Sequence, residues 1–218
     1  MTTITKERQA AITPGEALDL LKQGNKRFVK GEKADRNLLQ QANETSGGQY
    51  PFAVTLSCID SRTSAELIFD QGIGDIFSVR IAGNVVNEDI LGSMEFGCKV
   101  AGSKIIVVLG HTNCGAVKGA CDQVELGNLT TLLSKIKPAL DEEKSIKENR
   151  TSSNSDFVEK VSQLNVNHAV KEILDRSSIL KEMVDAGQIA IIGGTHDITT
   201  GEVTFYEDTM VGGQNESN

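Results

Sequence analysis

No tryptophan occurs in the 218 residues, and aromatic residues make up only 4% of them. With that scarcity go 21 glycines, a balance that suits many tight turns between strands and helices and does not suggest a sheet-rich sandwich. Basic residues are in deficit: 22 Lys and Arg face 30 Asp and Glu, for a formal charge of -8 and a pI near 5.0. A phosphate-backbone binder needs a concentrated basic face, so nucleic acid is not an expected partner. Long apolar runs are also missing. The opening MTTITKERQAAIT has no secretory core, and nothing downstream approaches the ~18 apolar residues of a membrane span. The expectation is a cytoplasmic protein with no membrane partner. In a reducing compartment its four cysteines read as thiols, metal ligands or core residues before disulfides.

The length is long for one average domain and short for two, so a single α/β domain over 1–218 is expected, with a helical arm over about 1–35 and a core over 50–206. Thr13-Pro14-Gly15-Glu16 is a capping box, followed by the apolar stripe Ala17, Leu18, Leu21, Phe28 and Val29, which predicts an amphipathic helix ending near Gly31. Phe52 to Leu56 reads as a buried strand, with Cys58 just past its end. A second capping box, Thr63-Ser64-Ala65-Glu66, predicts a short helix through Phe69, before a strand over 76–81. Asn87 can cap the next helix, and Lys104 to Leu109 is the clearest strand, with His111 directly after it.

Further on, the pattern predicts a helix over 129–140, a charged stretch over 141–156 made of a solvated helix end plus loop, helices over 157–174 and 179–186, and strands over 188–192 and 202–206. Alternation of strands and helices implies a mainly parallel central sheet flanked by helices. The last strand, joined through Thr199-Thr200-Gly201, is expected to be an antiparallel edge.

Ligands gather at the carboxyl ends of parallel strands, so Cys58 and His111 can meet in space although they lie far apart in sequence. Cys114 follows His111 by three residues, where the chain turns into a helix and a thiolate is favoured. Two thiolates and an imidazole suit Zn²⁺ with its fourth position free. Asp60 is near enough to supply that fourth ligand or to accept a hydrogen bond from a metal-bound hydroxide, and Arg62 can fix its orientation. Taken singly, each of these residues also reads as an ordinary buried thiol, turn or surface ion pair; their joint placement at two strand ends is what points to a site.

Cys58-Ile59-Asp60-Ser61-Arg62 and His111-Thr112-Asn113-Cys114-Gly115 resemble the paired CxDSR and HxxCG motifs of the β-carbonic anhydrases, in the same order and separation. Gly72 to Phe77, Arg80 to Asn84 and the helix around Glu95 extend the likeness across roughly 14–206. The resemblance implies reversible hydration of CO₂ to bicarbonate and a proton, through attack by zinc-bound hydroxide. It implies one Zn²⁺ per chain on Cys58, His111 and Cys114, and Asp60 and Arg62 as the catalytic pair. It further implies a homodimer or larger assembly with active sites at the subunit interface.

The resemblance implies a substrate pocket of Gln49, Phe77, Phe96 and Gly115, in which Gln49 and Phe77 match a plant-like subgroup and Phe96 stands where that subgroup has Tyr. A bicarbonate-inhibited subgroup carries a Trp, an Arg and a Tyr at positions that here hold Thr55, Arg80 and His196. Only the Arg matches, which predicts Asp60 paired to Arg62 and a zinc open to water. His196, at the start of a turn, and His168, within a helix, carry no expected shuttle role. Cys98 and Cys121 are expected to be packing residues. Hydrolysis of carbon disulfide or carbonyl sulfide, and a non-catalytic zinc-binding or bicarbonate-sensing role, are the competing readings.

Overall fold

The computed structural model describes residues 3–213, and the remaining ends of the 1–218 span lie outside the described residues. Ten helices occur among the described residues: α1 (Lys6–Ala11), α2 (Pro14–Lys30), α3 (Leu38–Glu44), α4 (Ala65–Ile68), α5 (Glu88–Glu95), α6 (Gly115–Cys121), α7 (Gly127–Ser134), α8 (Lys137–Glu142), α9 (Ser155–Arg176) and α10 (Ser178–Asp185). The strands are β1 (Ala53–Ser57), β2 (Ile76–Arg80), β3 (Ile105–His111), β4 (Ala190–His196) and β5 (Val203–Gly212). They form one sheet in the order β2-β1-β3-β4-β5. The first four run parallel, and β5 turns back antiparallel on β4. The mainly parallel sheet with an antiparallel edge is therefore present as the sequence implied. No helix among the described residues is long and apolar enough to cross a membrane.

A parallel sheet covered on both faces needs strands that are apolar throughout, and every residue of β1 and β3 is buried. Val54, Leu56, Ile106, Val108 and Ile191 pack on one side with Val166, Ile173 and Leu180 from α9 and α10. Ala53, Ile105, Val107, Leu109 and Ile192 pack on the other with Leu18 and Leu21 of α2 and with Phe69. Helix α9 lies close because Gly110 and Gly193 carry no side chain. A Cβ there would come within 2.8 and 2.7 Å of Val166.

The Thr13 capping box forms in full, with the Glu16 N–H donating to Thr13 Oγ1 at 3.2 Å and the Thr13 N–H donating to Glu16 Oε2 at 2.9 Å. The apolar stripe of α2 is used against the chain's own sheet. The second box does not form. Thr63 instead turns its hydroxyl inward to donate to the carbonyls of Cys58 and Asp60, at 3.1 and 2.9 Å. Ser64 takes the N-cap position of α4 without a side-chain capping bond, and Glu66 accepts from Ser78 at 2.6 Å.

Other boundaries differ for local reasons. The helix predicted over 129–140 is two, α7 and α8, and Pro138 lies in the first turn of the second. The stretch over 141–156 does open with a helix end, the last residues of α8, but it is not merely solvated. Glu143 is buried within it, pairing with Arg150 at 2.7 Å, and the Arg150 guanidinium lies 4.6 Å from the centre of the Phe157 ring. His111 and His196 are the last residues of their strands and not the residues that follow them, and they stand opposite one another in register.

Candidate metal centre

Strand β1 ends at Ser57 opposite Leu109 of β3, so Cys58 emerges one residue beyond the shared register and His111 two. Cys114 returns to the same place through a tight turn in which Asn113 has φ +56, a left-handed value that asparagine tolerates better than most residues. The result is a cluster in which one ligand-capable atom each of Cys58, His111 and Cys114 all lie within 4.8 Å of one another. All three residues are buried, His111 completely.

The donor set fits a zinc ion on chemical and structural grounds. Nε2 of His111 is a buried nitrogen with no hydrogen-bond partner in the protein, an arrangement that costs free energy unless something occupies it. Its Nδ1 lies 2.9 Å from the carbonyl oxygen of Thr112. Cys58 is drawn well below the ordinary thiol range by its hydrogen bond with Cys114, then by His111 and the Gly83 N–H, against the opposing effect of burial. Cys114 is pushed up, by that same partner and by burial. The two thiols thus share one proton between them. A divalent cation bound there would displace that proton and favour both thiolates.

Beside the cluster, Arg62 grips Asp60 in the bidentate fashion expected of it. Nε donates to Oδ1 at 2.9 Å and an Nη donates to Oδ2 at 2.7 Å, while the Arg62 backbone N–H adds a third bond at 3.0 Å. The guanidinium holds the carboxyl well below the usual carboxylate range. Oδ2 is also 4.0 Å from Nε2 of His111, so one carboxylate oxygen looks toward the cluster. Thr63 and Arg80 brace the turn that carries the pair, Arg80 donating to the carbonyls of Cys58 and Asp60 at 3.0 and 2.6 Å.

The remaining site residues distribute unevenly. Gly115 follows Cys114 as the first residue of α6. Phe77 and Phe96 meet edge to face at 6.2 Å and line, with Arg80 and Ile90, an open groove of about 820 Å³ along β2. Phe96 begins a single π-helical turn that continues α5, and it is exposed. Gln49 is exposed before β1 and has no hydrogen bond to the others among the described residues. Within one chain the cluster, Asp60 and Arg62 come together, with Gly115 next to Cys114 in the chain.

His196 is buried with both ring nitrogens unpartnered, and burial, then neighbouring His111, pushes it down to about 4. Burial pushes Cys98 up to about 12, and burial together with Asp122 pushes Cys121 up to about 11. Both behave as packing thiols, as expected. Thr63, Gly83 and Thr112, which bear on the cluster, were not identified from sequence, because single polar residues in turns carry no periodic signal.

The sequence family described as carbonic anhydrase matches residues 53–203, a span that opens at β1 and closes at the start of β5. The chain belongs to the β-carbonic anhydrase family. It is 37% identical over 202 residues to carbonic anhydrase 2 of Mycobacterium tuberculosis, covering 89% of this chain and 93% of that one. It is 36% identical over 197 residues to a carbonic anhydrase of Mycolicibacterium smegmatis, covering 87% and 92%. Among solved structures it is similar to the tetrameric β-carbonic anhydrases of Sordaria macrospora, with a TM-score of 0.67, 26% identity, and coverage of 76% of this chain and 85% of that one. The chain is accordingly a carbonic anhydrase enzyme, and CO₂ hydration is the activity its family supports.

Proposed function

We propose that the chain catalyses the zinc-dependent, reversible hydration of CO₂ to bicarbonate and a proton, with one Zn²⁺ held by Cys58, His111 and Cys114. The observation that carries this reading is the buried cluster of those three residues with the Asp60–Arg62 pair at its rim. When bound, the ion supplies Lewis-acid activation of water for attack on CO₂.

The protein's own residues do the positioning. Asp60, kept anionic by Arg62, accepts the proton of the attacking water in a hydrogen bond and so directs a lone pair at the carbon. Arg62 is held by two bonds and cannot swing away without releasing that carboxylate. Phe77 and Phe96 provide an apolar wall suited to a small nonpolar gas, and Gln49 and Gly115 complete the pocket. Because half-buried Phe77 and exposed Phe96 line an open groove along the edge strand β2 and Gln49 is exposed before β1, the pocket is completed by self-association of two chains across that edge.

The test is stopped-flow CO₂ hydration between about pH 6.5 and 9, on protein whose zinc content is quantified in parallel. Rapid hydration at one zinc per chain, abolished by chelation, supports the reading. Full zinc with no hydration at any pH overturns it and directs attention to sulfur analogues of CO₂ or to sensing.

A further inference from the structure

We infer that Thr112 is a positioning residue of the metal centre: its two hydrogen bonds, one to the end of β4 and one to the turn that follows, help to fix the carbonyl that orients the His111 imidazole. The inference rests on the zinc reading above. Thr112 bonds in three directions. Its N–H donates to the carbonyl of His196 at 3.0 Å, its hydroxyl oxygen accepts from the N–H of Ile198 at 3.1 Å, and its own carbonyl lies 2.9 Å from Nδ1 of His111.

A carbonyl oxygen can only accept, so the proton of a neutral His111 ring sits on Nδ1 and the lone pair on Nε2. Nε2 is the nitrogen left buried and unpartnered toward Cys58 and Cys114. Thr112 thereby sets both the tautomer and the direction of the ring, and it does so from a fixed platform. Asp197 accepts from the N–H groups of Thr199 and Thr200 at 2.7 and 3.4 Å, and its N–H donates to the Glu202 carbonyl at 2.8 Å. That closed turn presents the Ile198 N–H to the Thr112 hydroxyl. Without the hydroxyl, Thr112 keeps its N–H bond to the His196 carbonyl, and the peptide that carries the orienting carbonyl keeps the bond from the Asn113 N–H to Glu159 Oε1 at 2.9 Å, so the carbonyl loses one of three restraints and can rock about the other two. Outer hydrogen bonds of this kind typically tune metal affinity by about 10- to 100-fold.

A purely architectural role for Thr112 would lower stability and leave the metal alone, and the experiment separates the two. Zinc-loaded parent, T112V, T112S, D197A and S177A are compared by zinc release to excess chromophoric chelator, by the visible bands of the Co²⁺-substituted proteins, and by Tm. S177A removes the capping hydroxyl of distant α10 and serves as a control for general destabilisation.

T112V should release zinc about 10-fold faster than the parent and shift the Co²⁺ bands, D197A should do so less, and T112S should match the parent. S177A should lower Tm without changing the release rate. Parent-like release and spectra in T112V and D197A overturn the inference, as does an S177A that releases zinc as fast as T112V. Should T112V not fold, D197A against S177A decides the matter. A parent that binds neither zinc nor Co²⁺ overturns the zinc reading itself, a result distinct from parent-like variants of a zinc-loaded protein.

Discussion

Replacing Asp60 by asparagine tests the proposed chemistry at one atom. In the parent, Oδ1 accepts from the Arg62 backbone and Nε, and Oδ2 accepts from an Arg62 Nη while looking toward His111 Nε2 at 4.0 Å. An asparagine has one acceptor oxygen and one donor group. If its amide nitrogen takes the Oδ1 position, it faces two Arg62 donors. If it takes the Oδ2 position, it presents a donor both to the third Arg62 N–H and to the incoming water. Neither orientation preserves an acceptor on both sides, and the negative charge is lost in both.

A positioned acceptor of this kind is worth about 10²–10³-fold in rate, equivalent to about 3–4 kcal/mol of barrier. Stability should change little, because the Arg62 side chain is 53% exposed and water can replace its partner. The assay is stopped-flow CO₂ hydration with zinc content and Tm measured on the same sample. Kcat should fall by about 10²–10³-fold with zinc unchanged, and the D60N/R62K double variant should be little slower than D60N, since both act through one carboxylate. A D60N protein within about 3-fold of the parent at full zinc would refute the role assigned to Asp60.

Three further outcomes follow from other parts of the fold. Gly24→Ala places a Cβ 1.7 Å from the Phe69 carbonyl oxygen, so α2 must move off α4, at a cost of about 3 kcal/mol and a Tm drop of about 6–12 °C by calorimetry. For Glu143, burial raises the carboxyl, but bonds from Ser145, the Ile146 N–H and Arg150 outweigh it and hold it down at about 2, from an ordinary 4.5. Its stabilisation is complete above that ordinary value and lost as pH falls through the folded one, so acid unfolding of Glu143→Gln should show a shallower loss. The pH-dependent part is about 1–2 kcal/mol once solvent screening at the partly exposed Arg150 is allowed for, readable from urea midpoints between pH 6 and 2. Phe96→Glu puts a charge on the open groove beside β2 and should lower the sedimenting mass at micromolar concentration, whereas an unchanged mass would place the self-association surface elsewhere.

What could be read from sequence divides along a physical line. Strand β3 was plain because five consecutive apolar residues at 105–109 are needed to bury both faces, and α2 because Thr13 and Glu16 close a local box that depends on nothing distant. Thr63 and Glu66 present the same local pattern, yet competing partners displace it: the carbonyls of Cys58 and Asp60, in the turn just before, take the threonine hydroxyl, and Ser78 from β2 donates to the glutamate. Charge at 141–156 suggested solvent, but Glu143 found enough donors in its own loop to be buried. A local pattern is legible where no other partner is within reach, and Thr63, Glu66 and Glu143 each had one.

The candidate site joins both kinds. Cys58 and His111 were legible as a pair because parallel strands deliver their carboxyl ends to one place, and the β1–β3 register leaves the two residues just beyond it. What aims the imidazole comes from β4, which enters the sheet about eighty residues later and lies against β3 only after α9 has crossed over. The His196 carbonyl and the Ile198 N–H reach Thr112 only because β4 ends level with β3. A slip of that register would leave all three ligand residues in the sequence, yet deprive the turn between His111 and Cys114 of two of its anchors and leave it the bond from the Asn113 N–H to Glu159 of α9. The ligands are thus specified by a short stretch of chain, and their geometry by the sheet as a whole.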